Sequence, residues 1–160
     1  MTLPLLRRLS LLCLLAICAG SACGQTAAPA ACPWLTQGTA AHVLGGDVSV
    51  EAHVSDTGEG DCLFLRTTEA ATFLRIAVSK TALPACRADA LKLKGVGNEA
   101  LRCTITATGE ASTETISGRV RDRYFTLTMT QKKSPAAKMA ADLDDDALEH
   151  AAESVAGNLF

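Results

Sequence analysis

Val48-Ser49-Val50-Glu51-Ala52-His53-Val54 alternates apolar and polar side chains at every step. A period of two puts Val48, Val50, Ala52 and Val54 on one side of an extended chain, the pattern of a half-buried strand. The residues before it keep a different rhythm. Leu35, Ala40, Val43 and Leu44 fall on one side of a short helix that Thr36 can cap and Gly45-Gly46 can stop. The residues after it stay extended. A turn cluster at 55–61 (SDTGEGD) leads to strands predicted at 62–65 and 72–79. A long loop at 80–97 carries Pro84, Cys86, Gly95 and Gly97, and strands are predicted at 100–107, 113–120 and 124–130. Residues 108–110 and 121–123 supply the turns between them. Residues 132–141 read as an irregular or partly helical connector. Leu148, Ala151, Ala152, Val155 and Leu159 then mark the inner stripe of a closing helix over 144–158. The predicted fold is α+β: an antiparallel sheet of about six strands with an N-terminal and a C-terminal helix packed on one face.

Further out, the chain begins with a different kind of segment. Arg7 and Arg8 precede an apolar run at 9–19 and the small residues Gly20, Ser21 and Ala22. That is the layout of a secretory signal peptide, and the run is too short for the ~20 residues a bilayer span needs. The predicted organisation is a signal peptide at 1–23, a flexible tether at 24–31 (GQTAAPAA) and one domain at 32–160. Gly20-Ser21-Ala22-Cys23 resembles the lipobox of bacterial lipoproteins, with Gly20 where that pattern carries an aliphatic residue. Cys23 is therefore the candidate lipidation site; the alternative is a cut after Cys23, which removes it and leaves an even four cysteines.

With 160 residues the chain has room for one domain and none for a separate cofactor domain. Fifteen Lys and Arg against seventeen Asp and Glu exclude a basic nucleic-acid binder. Without Arg7 and Arg8 the balance is 13 to 17, an acidity suited to a solvated exported domain.

Of seven cysteines, Cys13, Cys18 and Cys23 belong to the leader, leaving Cys32, Cys62, Cys86 and Cys103. Four thiols in an exported domain imply two disulfides, with three connectivities open. Locality favours Cys86 with Cys103 across the long loop, and then Cys32 with Cys62. A zinc knuckle would need a C-x2-C spacing, which the sequence lacks.

Other chemistry-bearing residues are scattered. His42, His53 and His150 show no i, i+4 pair and no local Ser-His-Asp pattern. Asp142, Asp144, Asp146 and Glu153 match the acid spacing of a calcium loop, yet Ala147 stands where that loop needs glycine. Gly95-Val96-Gly97-Asn98-Glu99-Ala100 lacks the Lys-Ser/Thr pair of a phosphate loop and reads as a turn launching a strand. Arg119, Arg121 and Arg123 beside Tyr124 form the one basic, aromatic patch. Alternation predicts the three arginines on one strand face, able to grip an acidic partner.

Several of these pieces occur together in a recognisable order. Cys32-Pro33-Trp34-Leu35-Thr36, then 41–46 (AHVLGG), a cysteine strand at Cys62, the GVGNEA turn at 95–100 and a closing helix make up the set. It resembles the small exported and lipoprotein domains grouped in a family of unknown function, best populated in actinobacteria. It is also similar to short uncharacterised secreted proteins of other soil bacteria. The resemblance covers 32–160 and implies a helix-flanked antiparallel sheet akin to the PsbP-like architecture, with a first disulfide from Cys32 to Cys62. It brings no catalytic residues, and the pair Cys86 and Cys103 does not come with it.

The reading that follows is a non-enzymatic, extracytoplasmic binding or interaction module in the periplasm or outside the cell. Its expected partner is a protein or small molecule of the cell envelope, and it touches membrane only through an anchor at Cys23. No catalytic, metal or cofactor site is predicted. The alternatives are a small envelope hydrolase with a site assembled only in three dimensions, or a protein inhibitor or assembly factor. Mass spectrometry of the mature N-terminus tests the anchor. A diacylated Cys23 is expected, and an unmodified start at or beyond Gly24 excludes it.

Overall fold

Thr36 opens the first helix. Its hydroxyl accepts the backbone N–H of Thr39 at 3.1 Å, and α1 runs over Gln37–Leu44 until Gly45 takes a left-handed φ of 66°. In this computed structural model the described residues are 31–83, 86, 90–106, 111–132 and 137–160, with backbone alone at 105–106 and 137–146. The predicted leader and most of the tether, Cys23 included, lie outside them.

Seven strands follow: β1 Val48–Val54, β2 Gly60–Arg66, β3 Phe73–Ser79, β4 Leu91–Leu93, β5 Glu99–Thr106, β6 Ala111–Val120 and β7 Arg123–Lys132. The closing helix α2 spans Ala137–Asn158. The strands form one antiparallel sheet in the order β1-β2-β3-β7-β6-β5-β4. It is two meanders, β1-β2-β3 and β4-β5-β6-β7, joined where β7 docks against β3. The α+β class and the two flanking helices agree with the sequence.

Most strand ends fall within one or two residues of the expectation, and three larger differences stand out. Leu91–Leu93 pairs with Ala100–Arg102 inside the stretch read as loop, so the sheet has seven strands and not six. A three-residue strand is too short to show a period. Strand β7 continues to Lys132, and α2 starts at Ala137, about two turns early. The acids from Asp142 to Glu153 therefore sit within one continuous helix, which rules out a calcium loop there.

Register explains the core. Cys62, Ile76, Leu127 and Ile116 stand in one cross-strand row, with Phe64, Leu74 and Met129 in the next. All are buried, and they meet Val43 of α1 and Leu148, Ala152 and Val155 of α2. Helix α1 covers β1 to β3 while α2 covers β6 and β7, and the helices touch each other. Burial of side chains such as Phe64 and Phe125 contributes about 1.5–3 kcal/mol each. Opposite Phe125, a Cβ on Gly118 would lie 2.5 Å from the ring, so only glycine lets the ring lie across β6.

Both disulfides join the pairs that locality favours. Cys32–Cys62 fixes the start of the domain to the buried side of β2, and Cys86–Cys103 closes a 17-residue separation.

The β1–β2 turn is tied to the end of β3 by one carboxylate. Glu59 accepts the backbone N–H of Lys80 at 2.7 Å, and hydroxyls of Thr57 at 3.0 Å and Ser79 at 3.4 Å. These hydrogen bonds, that of Lys80 foremost, hold its carboxyl below the usual carboxylate range. A lowered folded-state pKa gives stability that is complete above the unfolded value and lost as pH falls through the folded one. Glu59→Gln should thus be less stable than the parent at neutral pH, and the gap should close below about pH 4. Urea unfolding at neutral pH and through the acid range measures it.

Candidate functional site

Strand β3 ends in the middle of the sheet at Ser79, while β4 lies at the far edge beyond β7, β6 and β5. The chain has to cross three strands. Cys103 stands in one row with Thr115 and Thr128, on the face turned away from the helices. Its disulfide partner Cys86 therefore lies over that face, with Sγ 3.6 Å from the Thr115 carbonyl and 3.9 Å from that of Leu101. An oxidised sulfur has no proton to donate, so these are packing contacts. This crossover, of which residues 80–83, 86 and 90 are described, is a strap tied to the open face at Cys86 by one disulfide.

Beside the staple a cavity of about 430 Å³ remains between strap and sheet. Leu83 of the strap lines it, with Leu101, Ser117 and Tyr124 from β5, β6 and β7. Lys92 and Glu99 stand at its rim, and Arg119 pairs with Glu99 at 2.8 Å. Ser117 is buried, one of two buried polar residues among those described. The floor continues into a threonine ladder, where Thr115 meets Thr128 at 3.3 Å and Thr113 meets Thr130 at 3.2 Å. The volume falls in the range of small-molecule pockets, with apolar walls and a few polar groups at the mouth.

The predicted arginine patch is divided. A two-residue turn at Arg121-Asp122 interrupts the alternation, so the three guanidinium groups share no face. Arg119 and Tyr124 are register partners on the cavity side. Arg123 points elsewhere and donates to the carbonyls of Gly58 at 2.7 Å and Thr57 at 2.9 Å. Arg121 takes φ 54°, its N–H held by Asn98 Oδ1 at 2.6 Å, and its side chain donates to the Phe160 carbonyl over the Phe160 ring. Asn98 reaches it from the predicted 95–100 turn. That turn also needs Gly97 at φ 61°, where a Cβ would meet the Arg119 carbonyl at 2.7 Å.

The histidines stay apart. His42 is exposed on α1, His53 on β1, and His150 on α2 beside Glu153 at 3.1 Å. Among the described residues no group of three or more His, Cys, Asp or Glu could hold a metal ion. The most enclosed of the ion pairs, Arg102–Glu114, lies on the helix-covered side of β5 and β6. None of Leu83, Lys92, Leu101 and Ser117 stood out in the sequence, although Ser117 ends the outward run Thr113, Thr115 of β6.

No protein-family model and no curated protein matches the chain. A crystal structure of a protein from Bacteroides thetaiotaomicron VPI-5482 is similar over 67% of this chain, at 16% identity and a TM-score of 0.38. The match covers 40% of that protein's length.

The strap is the part most dependent on its cross-link. Replacing both Cys86 and Cys103 by Ser should cost about 3 kcal/mol, as expected for a loop of this size. Urea unfolding reads that loss.

Proposed function

We propose that this chain is an extracytoplasmic binding module that holds a small amphipathic molecule between its strap and the open face of its sheet. The carrying observation is the cavity beside the strap, lined by Leu83, Leu101, Ser117 and Tyr124, with the exposed Lys92 and Glu99 at its rim. An apolar body would lie over Leu101 and Ser117. A polar or anionic end would meet Lys92 and the Tyr124 hydroxyl. Two disulfides accord with folding in an oxidising compartment, and among the described residues no helix is long and apolar enough to cross a membrane. In this reading the leader directs export and is cut before Cys23, Cys23 carries the anchor, and the domain is akin to the PsbP-like architecture and to the actinobacterial secreted family. The reading is non-enzymatic. The hydroxyls of Ser117 and Tyr124 line the cavity, while all three histidines stand on other elements.

A fluorescent amphipathic anion, 8-anilino-1-naphthalenesulfonate, probes the cavity directly. Saturable binding is expected, weakened at least about tenfold by Ser117→Phe or Leu101→Trp, either of which fills the space. Equal binding by folded variants would reject the cavity as the site.

A further inference from the structure

The sheet has two edges, and they are unequal. Strand β4 offers three residues, whereas β1 offers seven, with no proline, lysine or bulge along it. Natural edge strands usually carry such blocks, because an open row of N–H and C=O groups is a template for another strand.

The direction of those groups follows from the β1–β2 ladder. Asp47 accepts Thr67 N–H at 2.9 Å and Ser55 donates to Glu59 at 2.8 Å, so odd-numbered positions face β2. The backbone groups of Val48, Val50, Ala52 and Val54 therefore face outward. Gln37 of α1 already donates to the Val48 carbonyl at 2.5 Å, which closes that end. The free stretch is Val50 to Val54, with Ala52 at its centre. No described element covers it, and Val54 is 39% exposed.

We infer that β1 pairs with β1 of a second copy, antiparallel about a two-fold axis at Ala52. Outward groups must meet outward groups, which permits axes at Val50, Glu51, Ala52 or His53, and an axis at His53 would leave Val50 without a partner within the strand. An axis at Val50 would need the Val48 carbonyl that Gln37 occupies. An axis at Glu51 would set two carboxylates directly opposite each other, which is unfavourable. The axis at Ala52 uses every free group and sets Glu51 opposite His53 of the partner subunit, twice per dimer. On the other face Val50 meets Val54 of the partner subunit, covering an exposed apolar side chain. The two seven-stranded sheets become one continuous sheet, and the strap cavities lie at its two ends.

Sedimentation velocity of the purified protein from about 1 μM to about 1 mM tests the pairing, a span that captures weak as well as moderate association. A reversible monomer–dimer equilibrium is expected. Ala52→Pro removes one outward N–H without touching the ladder to β2 and should abolish the dimer. Glu51→Lys should weaken it about tenfold by removing the carboxylate that His53 faces, and adding His53→Glu should restore it by setting a cation opposite a carboxylate twice per dimer. Circular dichroism checks that each variant folds. A monomer at every concentration, a dimer that survives in folded Ala52→Pro, or a charge swap without recovery would each overturn the inference.

Discussion

The pairing of β3 with β7 is the constraint on which the rest of the molecule depends. Phe73 to Ser79 lies against Tyr124 to Thr130, some fifty residues later in the chain. All other strand pairs join neighbours in sequence, so this ladder alone turns two meanders into one sheet. Non-local pairing of this kind is slow to form, since the intervening chain must close before contacts compensate for the lost entropy. The ladder itself sets Ile76 opposite Leu127, both fully buried in the core.

Once β7 occupies the flank of β3, the chain leaving Ser79 cannot continue beside its own strand. It must pass over β7, β6 and β5 to reach the far edge, and only one face is free. The other face is sealed by α1 and α2 over Phe64, Leu74, Ile116 and Phe125. The crossover is thus forced onto the threonine-rich side, where little apolar surface could hold it by burial. Thr113, Thr115, Thr128 and Thr130 bond to one another across strands and offer hydroxyls instead. A covalent tie at Cys86–Cys103 replaces the missing hydrophobic contact, and the space left beside it is the cavity. Topology, cross-link and cavity are one consequence seen at three scales.

Much of this was legible in local patterns. The alternation of Val48 to Val54, the caps at Thr36 and Gly45, and the stripe Leu148, Ala152, Val155 each reflect burial on one side of one element. Pairing of nearby cysteines was also readable, because a short loop brings its ends together cheaply. What escaped depends on contacts between distant parts. Leu91–Leu93 is a strand only because Ala100–Arg102 lies beside it. Alternation could not place Arg121 or Arg123, because a turn of two residues reset the faces and distant acceptors, Gly58 and Phe160, claimed the guanidinium groups. The cavity residues Leu83, Lys92 and Ser117 share no spacing at all; they meet because the strap crosses three strands.

The same topology accounts for the contrast between the two sheet edges. At one side the strap delivers the chain into β4, whose three residues end too soon to template another strand, and whose neighbour β5 is already paired. At the other side β1 enters directly from α1 after Gly45-Gly46 and Asp47, with no crossover to shield it. Helix α1 packs over β1 and extends the Gln37 amide to its edge. A shield at one end of the strand and charge at its middle leave the edge selective: Glu51 resists an identical residue opposite it and accepts His53. An edge built for solubility alone would carry a lysine or a proline in that central position. The acid and the imidazole two residues apart, on the exposed side of the strand, instead make the edge complementary to itself.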